Sequence, residues 1–253
     1  MPNVLIVGAT RGLGLELAKQ YQAKGDIVCG TARKAPEHSS AGIKWIADIN
    51  LAEESAGSKL VNALPSQPID LVIFAAGYFG KESFEEPDFD KEVLMYKTSA
   101  IGPIFVVHSL VKAGLLKEGS KIIIVSSESG SITLRHESEG GGNFGHHASK
   151  AASNMVGKLL SLDLKDKGIV VCNLHPGFMR TEMTKGVGFD KYWDAGGAVT
   201  PDVAAKSLVD FIETIDMSKT GQFWAPRGPG DIGTAPDILG PKDQLPTPLQ
   251  LPW

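Results

Sequence analysis

The sequence predicts an α/β fold in which helices cover both faces of a doubly wound parallel sheet. Short apolar segments bounded by Gly, Pro, Asp or Ser alternate with longer amphipathic segments along most of the chain. The short segments are apolar at successive positions, which is typical of strands buried on both faces of a parallel sheet. A chain of 253 residues is an ordinary length for one such domain.

The alternation also predicts the order of the elements. We expect strands at residues 4–7, 27–31, 43–47, 69–74, 121–125 and 169–174. We expect helices at residues 13–24, 51–64, 91–116, 148–167 and 201–214, where apolar residues recur at spacings of three and four. A last edge strand is predicted at 221–224, so residues 1–225 are interpreted as one domain.

The last part of the chain differs in composition. Residues 226–253 contain seven prolines and little periodicity, which predicts an extended or looped tail. The apolar Leu251-Pro252-Trp253 end favours packing of this tail on the domain. The alternative is a terminus without fixed structure, because few apolar anchors are available to offset the entropy of ordering.

Composition and charge exclude several functional classes. Lys plus Arg is 25 and Asp plus Glu is 29, so the net charge of −4 is mild and has the wrong sign for nucleic-acid binding. The apolar runs are shorter than the roughly 20 residues of a membrane span. No secretory signal is recognisable at the start of the chain, so we expect a cytoplasmic protein. Cys29 and Cys172 lie inside apolar runs without C-x-x-C spacing, which indicates reduced thiols and no metal site.

A glycine-rich loop joins the first predicted strand to the first predicted helix. Its sequence, Gly8-Ala9-Thr10-Arg11-Gly12-Leu13-Gly14, has the spacing G-x-x-x-G-x-G. Glycines let the backbone turn tightly and approach a pyrophosphate, and the helix N-terminus stabilises the anion. The loop therefore predicts a Rossmann-like dinucleotide site formed by Gly8, Thr10, Arg11, Gly12, Leu13 and Gly14.

The residues after the second and third strands bear on the choice of cofactor. Arg33 stands where an acidic residue would bind a ribose 2′-hydroxyl, and a cation there suits a 2′-phosphate, so NADP(H) is favoured over NAD(H). Alternatively, Arg33 and Lys34 are solvated loop charges. Asp48 follows the third strand and either contacts the adenine amino group or caps the next helix.

Taken together, these motifs and three later ones resemble the short-chain dehydrogenase/reductase family, and within it the C-factor-like and sniffer-like carbonyl reductases. The later motifs are Ser-Ser-Glu-Ser-Gly at 126–130, Ala-Ser-Lys-Ala-Ala at 148–152 and His-Pro-Gly-Phe-Met-Arg-Thr at 175–181. The resemblance covers nearly the whole chain and extends to the Leu-Pro-Trp end. It implies hydride transfer between a nicotinamide and a carbonyl or alcohol of a small molecule.

The resemblance also implies an altered active site. The family uses an Asn, Ser, Tyr and Lys tetrad, of which only Ser127 and Lys150 are matched here. His146 stands at the tyrosine position and Ser99 at the asparagine position. By the same resemblance, Ser127 binds the substrate oxygen and Lys150 binds the nicotinamide ribose. The implied cofactor contacts include Ala76, Gly77, Pro176, Gly177 and Thr181.

His146 can serve the chemistry in more than one way. Imidazole has an ordinary pKa near 6.5, and the nearby Lys150 charge disfavours the imidazolium, so we expect a mostly neutral ring near pH 7. A neutral ring favours a base or a hydrogen-bond donor. The alternative is a pocket wall without chemistry.

Two segments around the site are predicted to meet the substrate. Residues 182–200 correspond to the family's substrate lid, and their aromatic content indicates a fairly large apolar or aromatic substrate. The expected substrate contacts are Tyr78, Phe178, Met183, Tyr192 and Trp193. The long connection 131–145 is interpreted either as a mobile loop over the site or as an exposed insertion, and its His136 and Glu137 as possible acid/base groups.

Three functions remain open on the sequence. The first is an NADP(H)-dependent oxidoreductase in which His146 replaces the tyrosine. The second is a redox-silent isomerase, lyase or cyclase, of the pericyclase type, that uses His146 as acid or base. The third is a non-catalytic dinucleotide sensor. Small residues along the helix at 148–167 favour a homodimer or homotetramer.

Overall fold

The protein folds around one eight-stranded sheet. The computed structural model describes residues 1–35 and 42–253, and the sheet has the order β3-β2-β1-β4-β5-β6-β7-β8. All neighbouring strands pair in parallel except β8, which is antiparallel to β7. The strands are β1 (Asn3–Val7), β2 (Ile27–Thr31), β3 (Ile43–Ile46), β4 (Leu71–Phe74), β5 (Lys121–Val125), β6 (Val170–Leu174), β7 (Phe223–Ala225) and β8 (Leu249–Gln250).

Helices cover both faces of this sheet, so the predicted α/β fold class is confirmed. They are α1 (Gly12–Ala23), α2 (Ala56–Ala63), α3 (Phe89–Tyr96), α4 (Gly102–Lys112), α5 (Phe144–Asp163), α6 (Glu182–Gly186), α7 (Pro201–Glu213) and α8 (Ala235–Ile238). Side chains of successive strand residues point to opposite faces. Val4 and Ile6 therefore pack with α1 and α7, whereas Leu5 and Val7 pack with the layer of α2 and α4.

Three predicted helices differ in their extent. The helix expected at 51–64 is shorter and begins at Ala56. The helix expected at 91–116 is divided, because a π-helical turn at Lys97–Ile101 separates α3 from α4. The helix expected at 148–167 begins earlier, at Phe144. The side chain of Glu82, a residue distant in sequence, accepts a hydrogen bond from the Gly145 N–H in its first turn. A cap supplied from another segment leaves no local sequence signal.

The sequence predicts no membrane span, but the helical segment Phe89–Lys112 is long and apolar as a whole. Its individual apolar runs are short, but the whole segment reaches the length and apolar composition of a spanning helix. In this fold 44% of its apolar 18-residue window is buried inside the protein. A buried core helix can have the same length and apolar composition as a membrane-spanning helix, so these two properties do not distinguish one from the other.

The tail at 226–253 is folded against the sheet. β8 pairs with β7, so the segment predicted as an edge strand lies inside the sheet and β8 forms the edge. Tail residues form a separate buried cluster with residues of β7 and one residue of the 131–143 loop: Leu134, Phe223, Ala225, Ile232, Ala235, Leu249 and Leu251. The Thr133 hydroxyl donates to the Trp253 carbonyl at 2.8 Å, and the Thr234 hydroxyl donates to the Leu134 carbonyl at 2.9 Å.

We predict that Leu134 couples the tail to the domain. Its side chain is fully buried, so Leu134→Ala is expected to lower the free energy of unfolding by about 2–5 kcal/mol in urea denaturation. Ile132, two residues away, is 79% exposed and provides the matched control. Ile132→Ala is expected to change the free energy by less than about 0.5 kcal/mol. Equal effects of the two variants would contradict the buried role of Leu134.

Candidate active site

One cavity of about 630 Å³ lies where the parallel strands end at their carboxyl termini. It runs from the glycine loop before α1 to the segment at 182–192. Most of the predicted site residues line it: Gly8, Thr10, Arg11, Gly12, Leu13, Gly14, Arg33, Ala76, Gly77, Tyr78, Ser127, His146, Lys150, Pro176, Gly177, Phe178, Thr181, Met183 and Tyr192. The predicted residues Ser99, Asp48 and Trp193 are not part of this lining.

The glycine loop has the geometry that a dinucleotide requires. Gly8 has φ +91°, and a Cβ atom there would lie 2.6 Å from the Cα atom of Ala76. Gly12 also has a positive φ of +54°. Among the described residues, no side chain caps the start of α1, where Arg11 is the N-cap. The backbone N–H groups at this helix end can therefore bind an anion, and the residues present fit a pyrophosphate.

The residues after β2 and β3 differ in how they meet the cavity. Arg33 is exposed and lines the cavity, whereas the adjacent Lys34 does not. Asp48 differs from the expectation. Its side chain is 79% exposed and pairs with Lys59 at 2.9 Å. Because the backbone at Asp48 has φ +62°, the chain turns there, and its successors Ile49 and Asn50 line the cavity instead.

Asp48 does not cap α2 either, since that helix starts after Ser55.

Helix α5 carries two of the predicted catalytic residues. His146 and Lys150 lie four residues apart and therefore on the same face of the helix. The Lys150 ammonium donates to the Val125 carbonyl, at the end of β5, with a distance of 2.9 Å. Removal from water lowers the pKa of Lys150 to about 8.

His146 is held in an apolar setting. Its ring stacks on Phe79 with centroids 4.0 Å apart and an interplanar angle of 17°. Its Nδ1 atom is buried, and no hydrogen-bond partner for it occurs in the described parts of the chain. Desolvation, followed by the charge of Lys150, lowers the pKa of His146 to about 3. The imidazole is therefore neutral near pH 7, as the sequence predicts, but it is a weak base, which favours the donor role.

Ser127 lies in the turn that follows β5. Its Oγ atom accepts a hydrogen bond from the Ser129 N–H at 3.2 Å and lies 2.9 Å from the Ser129 hydroxyl. Ser127 also lines the same cavity as His146 and Lys150.

Ser99 is placed differently from the expectation. It lies in the π-helical turn with only 5% of its surface exposed, and its hydroxyl has no partner among the residues that the structure describes. The widened helical turn presents the preceding residue, Thr98, to the cavity instead. No sequence signal predicts this exchange, because nothing in the local residue pattern identifies a π-helical turn.

Trp193 also lies outside the cavity. Its indole N–H donates to the Thr184 hydroxyl at 3.2 Å, and the guanidinium of Arg180 lies over its ring. Trp193 therefore stabilises the segment at 182–200 from the side that does not line the cavity. Phe189 and Tyr192 of that segment do line the cavity, and the Thr181 hydroxyl accepts the Thr184 N–H at the start of α6.

The long connection 131–145 forms part of the cavity wall. Arg135, Glu139 and Asn143 line the cavity, which favours the substrate-contacting interpretation of this segment over the exposed insertion. Arg135 pairs with Glu128 on one side and with Glu139, at 3.0 Å, on the other. The suggested acid/base groups His136 and Glu137 are not among the lining residues.

His175 and Asp231 are among the cavity residues that the sequence did not predict, because only the fold brings them together. His175, at the end of β6, accepts the Glu128 N–H through Nδ1 at 3.0 Å, and burial lowers its pKa to about 4. Asp231 comes from the tail. Its carboxylate is 6% exposed, pairs with Arg227 at 3.0 Å and lines the cavity. Nothing in the spacing of the tail residues marks Asp231 as a cavity residue.

Comparison with known proteins gives a family and a fold. A sequence model described as short chain dehydrogenase matches residues 2–191. A 1-hydroxy-2-glutathionyl-2-methyl-3-butene dehydrogenase of Rhodococcus sp. (strain AD45) is 27% identical, over 88% of this chain and 96% of that protein. The carbonyl reductase Sniffer of D. melanogaster has a similar structure, with a TM-score of 0.75, 22% identity and full coverage of both chains.

A second similar structure is an NADPH-bound carbonyl reductase from chicken fatty liver, with a TM-score of 0.74 and 22% identity over 89% of this chain and 96% of that one.

We predict that the two desolvated histidines make the protein less stable in acid. Their pKa values are about 3 and about 4 in the folded state and near 6.5 when unfolded, so only the unfolded chain binds these protons as the pH falls below 6.5. Each histidine is expected to remove about 2 kcal/mol of stability between pH 7 and pH 5.

Urea denaturation at both pH values measures this effect. His146→Phe keeps an aromatic ring against Phe79, and its stability is expected to fall by about 2 kcal/mol less than that of the wild type. The same acid-induced loss in both proteins would contradict the neutral, desolvated state of His146.

Proposed function

Because this chain belongs to the short-chain dehydrogenase family, we propose that it is an NADP(H)-dependent oxidoreductase that interconverts a hydroxyl and a carbonyl group. The observation that carries this proposal is the single cavity that joins the glycine loop to Ser127, His146 and Lys150. The nicotinamide supplies hydride exchange when bound. The protein supplies the binding, the orientation and the handling of the proton.

The residues that would hold the dinucleotide lie at one end of the cavity. The glycine loop and the start of α1 would bind the pyrophosphate, and Lys150 with Thr181 would hold the nicotinamide half. Arg33 is the cation available for a 2′-phosphate, which supports NADP(H) over NAD(H). The similar chicken protein is described as NADPH-bound, which supports the same preference.

The remaining groups act on the substrate oxygen. Ser127 would bind the hydroxyl or carbonyl oxygen. His146, neutral and largely removed from water, would donate an N–H to the same oxygen and stabilise the charge that develops on it. It would thus replace the tyrosine of the family as an electrophile. Lys150 would add positive charge nearby, and its ammonium is held in place by the hydrogen bond to the Val125 carbonyl.

The substrate class follows from the other end of the cavity. Phe79, Phe178, Met183, Phe189 and Tyr192 form its apolar wall. A cavity of this size and lining suits a fairly large apolar or aromatic small molecule. The Rhodococcus relative is named as a dehydrogenase of a hydroxylated compound, which is consistent with a hydroxyl-bearing substrate.

The redox-silent alternatives are not favoured. An isomerase, lyase or cyclase that uses His146 as a base needs an imidazole that accepts protons readily, and a pKa of about 3 makes this one a weak acceptor. A dinucleotide sensor would not need an apolar cavity beyond the nicotinamide position.

We also propose a homodimer formed through α4 and α5. Large apolar side chains on these two helices, and one at the residue before α4, are 40–59% exposed in the single chain: Ile101, Ile104, Phe105, Met155, Leu159 and Leu162. Exposed apolar side chains of this kind are characteristic of a subunit interface, and a second copy of the same surface would cover them in a two-fold arrangement.

Cofactor preference is the direct test of the proposed function. In fluorescence titrations we expect tighter binding of NADPH than of NADH, and about 10- to 100-fold weaker NADPH binding by Arg33→Ala, with NADH binding unchanged. Lys34→Ala is the matched control, because Lys34 is exposed and outside the cavity. Failure to bind either nucleotide would reject the oxidoreductase proposal.

The dimer is tested by sedimentation equilibrium. We expect the wild type to have twice the chain mass and Leu159→Glu to have the mass of one chain, since a charge is costly to bury in an apolar interface. Val203→Glu introduces the same charge at an exposed apolar position of α7, on the opposite layer, and should remain dimeric. A monomeric wild type would reject this interface.

A further inference from the structure

A chain of three hydrogen-bonding side chains leads away from the substrate end of the cavity. The Ser127 hydroxyl lies 2.9 Å from the Ser129 hydroxyl, and the Ser129 hydroxyl donates to Glu128 Oε1 at 3.3 Å. A short helical turn at Glu128–Gly130 folds these residues onto one another. All three residues line the cavity.

The hydrogen bonds of this chain have a definite direction. An ionised carboxylate can only accept, so the Ser129 hydroxyl hydrogen points to Glu128. Ser129 Oγ then accepts the hydrogen of Ser127. Ser127 Oγ also accepts the Ser129 N–H, which leaves it one lone pair and no free hydrogen. In this arrangement Ser127 can accept a proton from a hydroxyl group in the cavity.

The carboxylate of Glu128 is in contact with a cation. Arg135 pairs with its Oε2 atom, and Glu139 lies on the far side of the same guanidinium. The Nδ1 atom of His175 accepts a hydrogen bond from the Glu128 backbone N–H, and this histidine is neutral because burial lowers its pKa. The Glu128 side chain is still 21% exposed, so a proton that arrives there can pass to water.

His146 and Lys150, the two predicted catalytic residues on α5, are poorly suited to receive the proton. His146 is a weak base, for the reasons given above. The Lys150 ammonium already carries its protons and donates one of them to the Val125 carbonyl. Oxidation of an alcohol therefore requires a different acceptor for the hydroxyl proton.

We propose that Ser129 and Glu128 relay the proton that Ser127 takes from the substrate hydroxyl, so that the enzyme binds its substrate as an alcohol. The inference rests on the proposed function. In the step, the substrate C–H bond breaks and its electron pair leaves with hydrogen for the oxidised nicotinamide of NADP⁺. The O–H proton moves to Ser127 as the Ser127 proton moves to Ser129 and the Ser129 proton moves to Glu128. The carbonyl double bond forms, and all charges balance.

The test uses the full chain with NADP⁺ and a set of aromatic secondary alcohols that includes 1-phenylethanol. Ser129→Ala interrupts the relay, and Glu128→Gln removes its acceptor. Each is expected to lower kcat about 100-fold, with NADPH binding unchanged in the fluorescence titration. Ser129→Thr keeps the hydroxyl and should restore most of the rate. Ser138→Ala and Glu137→Gln, in the same loop but outside the cavity, are the matched controls and should behave as the wild type.

A further readout separates a relay from a structural role. The proton inventory of kcat in mixtures of H₂O and D₂O should be curved for the wild type, because several protons move together, and linear for Ser129→Ala.

The outcomes distinguish the relay from the proposed function. Absence of NADPH binding by the wild type would reject the proposed function. Normal NADPH binding with wild-type kcat in both Ser129→Ala and Glu128→Gln would overturn the relay. Normal NADPH binding without oxidation of any of the alcohols would overturn the assignment of the substrate as an alcohol. Loss of rate in both variants, together with the changed proton inventory, would support the relay.

Discussion

Helix α5 lies directly against the turn that follows β5, and the arrangement of the cavity depends on this contact. A Cβ atom at Gly130 would lie 2.6 Å from the carbonyl carbon of Lys150, so only glycine lets the turn approach the helix so closely. The Lys150 ammonium completes the contact by donating to the Val125 carbonyl. The turn carries Ser127 and the helix carries His146, so one packing contact fixes both sides of the substrate oxygen site.

The same close packing explains the electrostatics of the site. Groups that are removed from water lose the solvation of their charged forms, and this lowers the pKa of Lys150, His146 and His175. For His146, the result is a neutral ring that can donate a hydrogen bond but accepts protons poorly. In the proposed reaction the hydroxyl proton would therefore pass to other groups, and the adjacent turn offers Glu128 through Ser129.

The far wall of the cavity is built by two segments that are distant in sequence. The 131–143 loop supplies Arg135 and Glu139, and the tail supplies Asp231. Leu134 joins the two segments, because its side chain is buried among tail residues and its carbonyl accepts the Thr234 hydroxyl. The tail therefore supports the loop that lines the cavity, and its strand β8 forms the edge of the sheet.

The sequence by itself determined the fold class and most of the cofactor end of the cavity. The fold class can be recognised from neighbouring residues alone, because apolar runs and helical periodicity are local signals. The glycine loop can be recognised in the same way, because the conformations of Gly8 and Gly12 favour glycine at those positions. Tertiary structure decided which side chains face the substrate. Thr98 lines the cavity in place of Ser99 because of a π-helical turn, and Asp48 pairs with Lys59 outside the cavity. Glu128, Arg135 and Asp231 line the cavity from three different segments. Those placements depend on contacts between distant parts of the chain, and a local pattern carries no information about them.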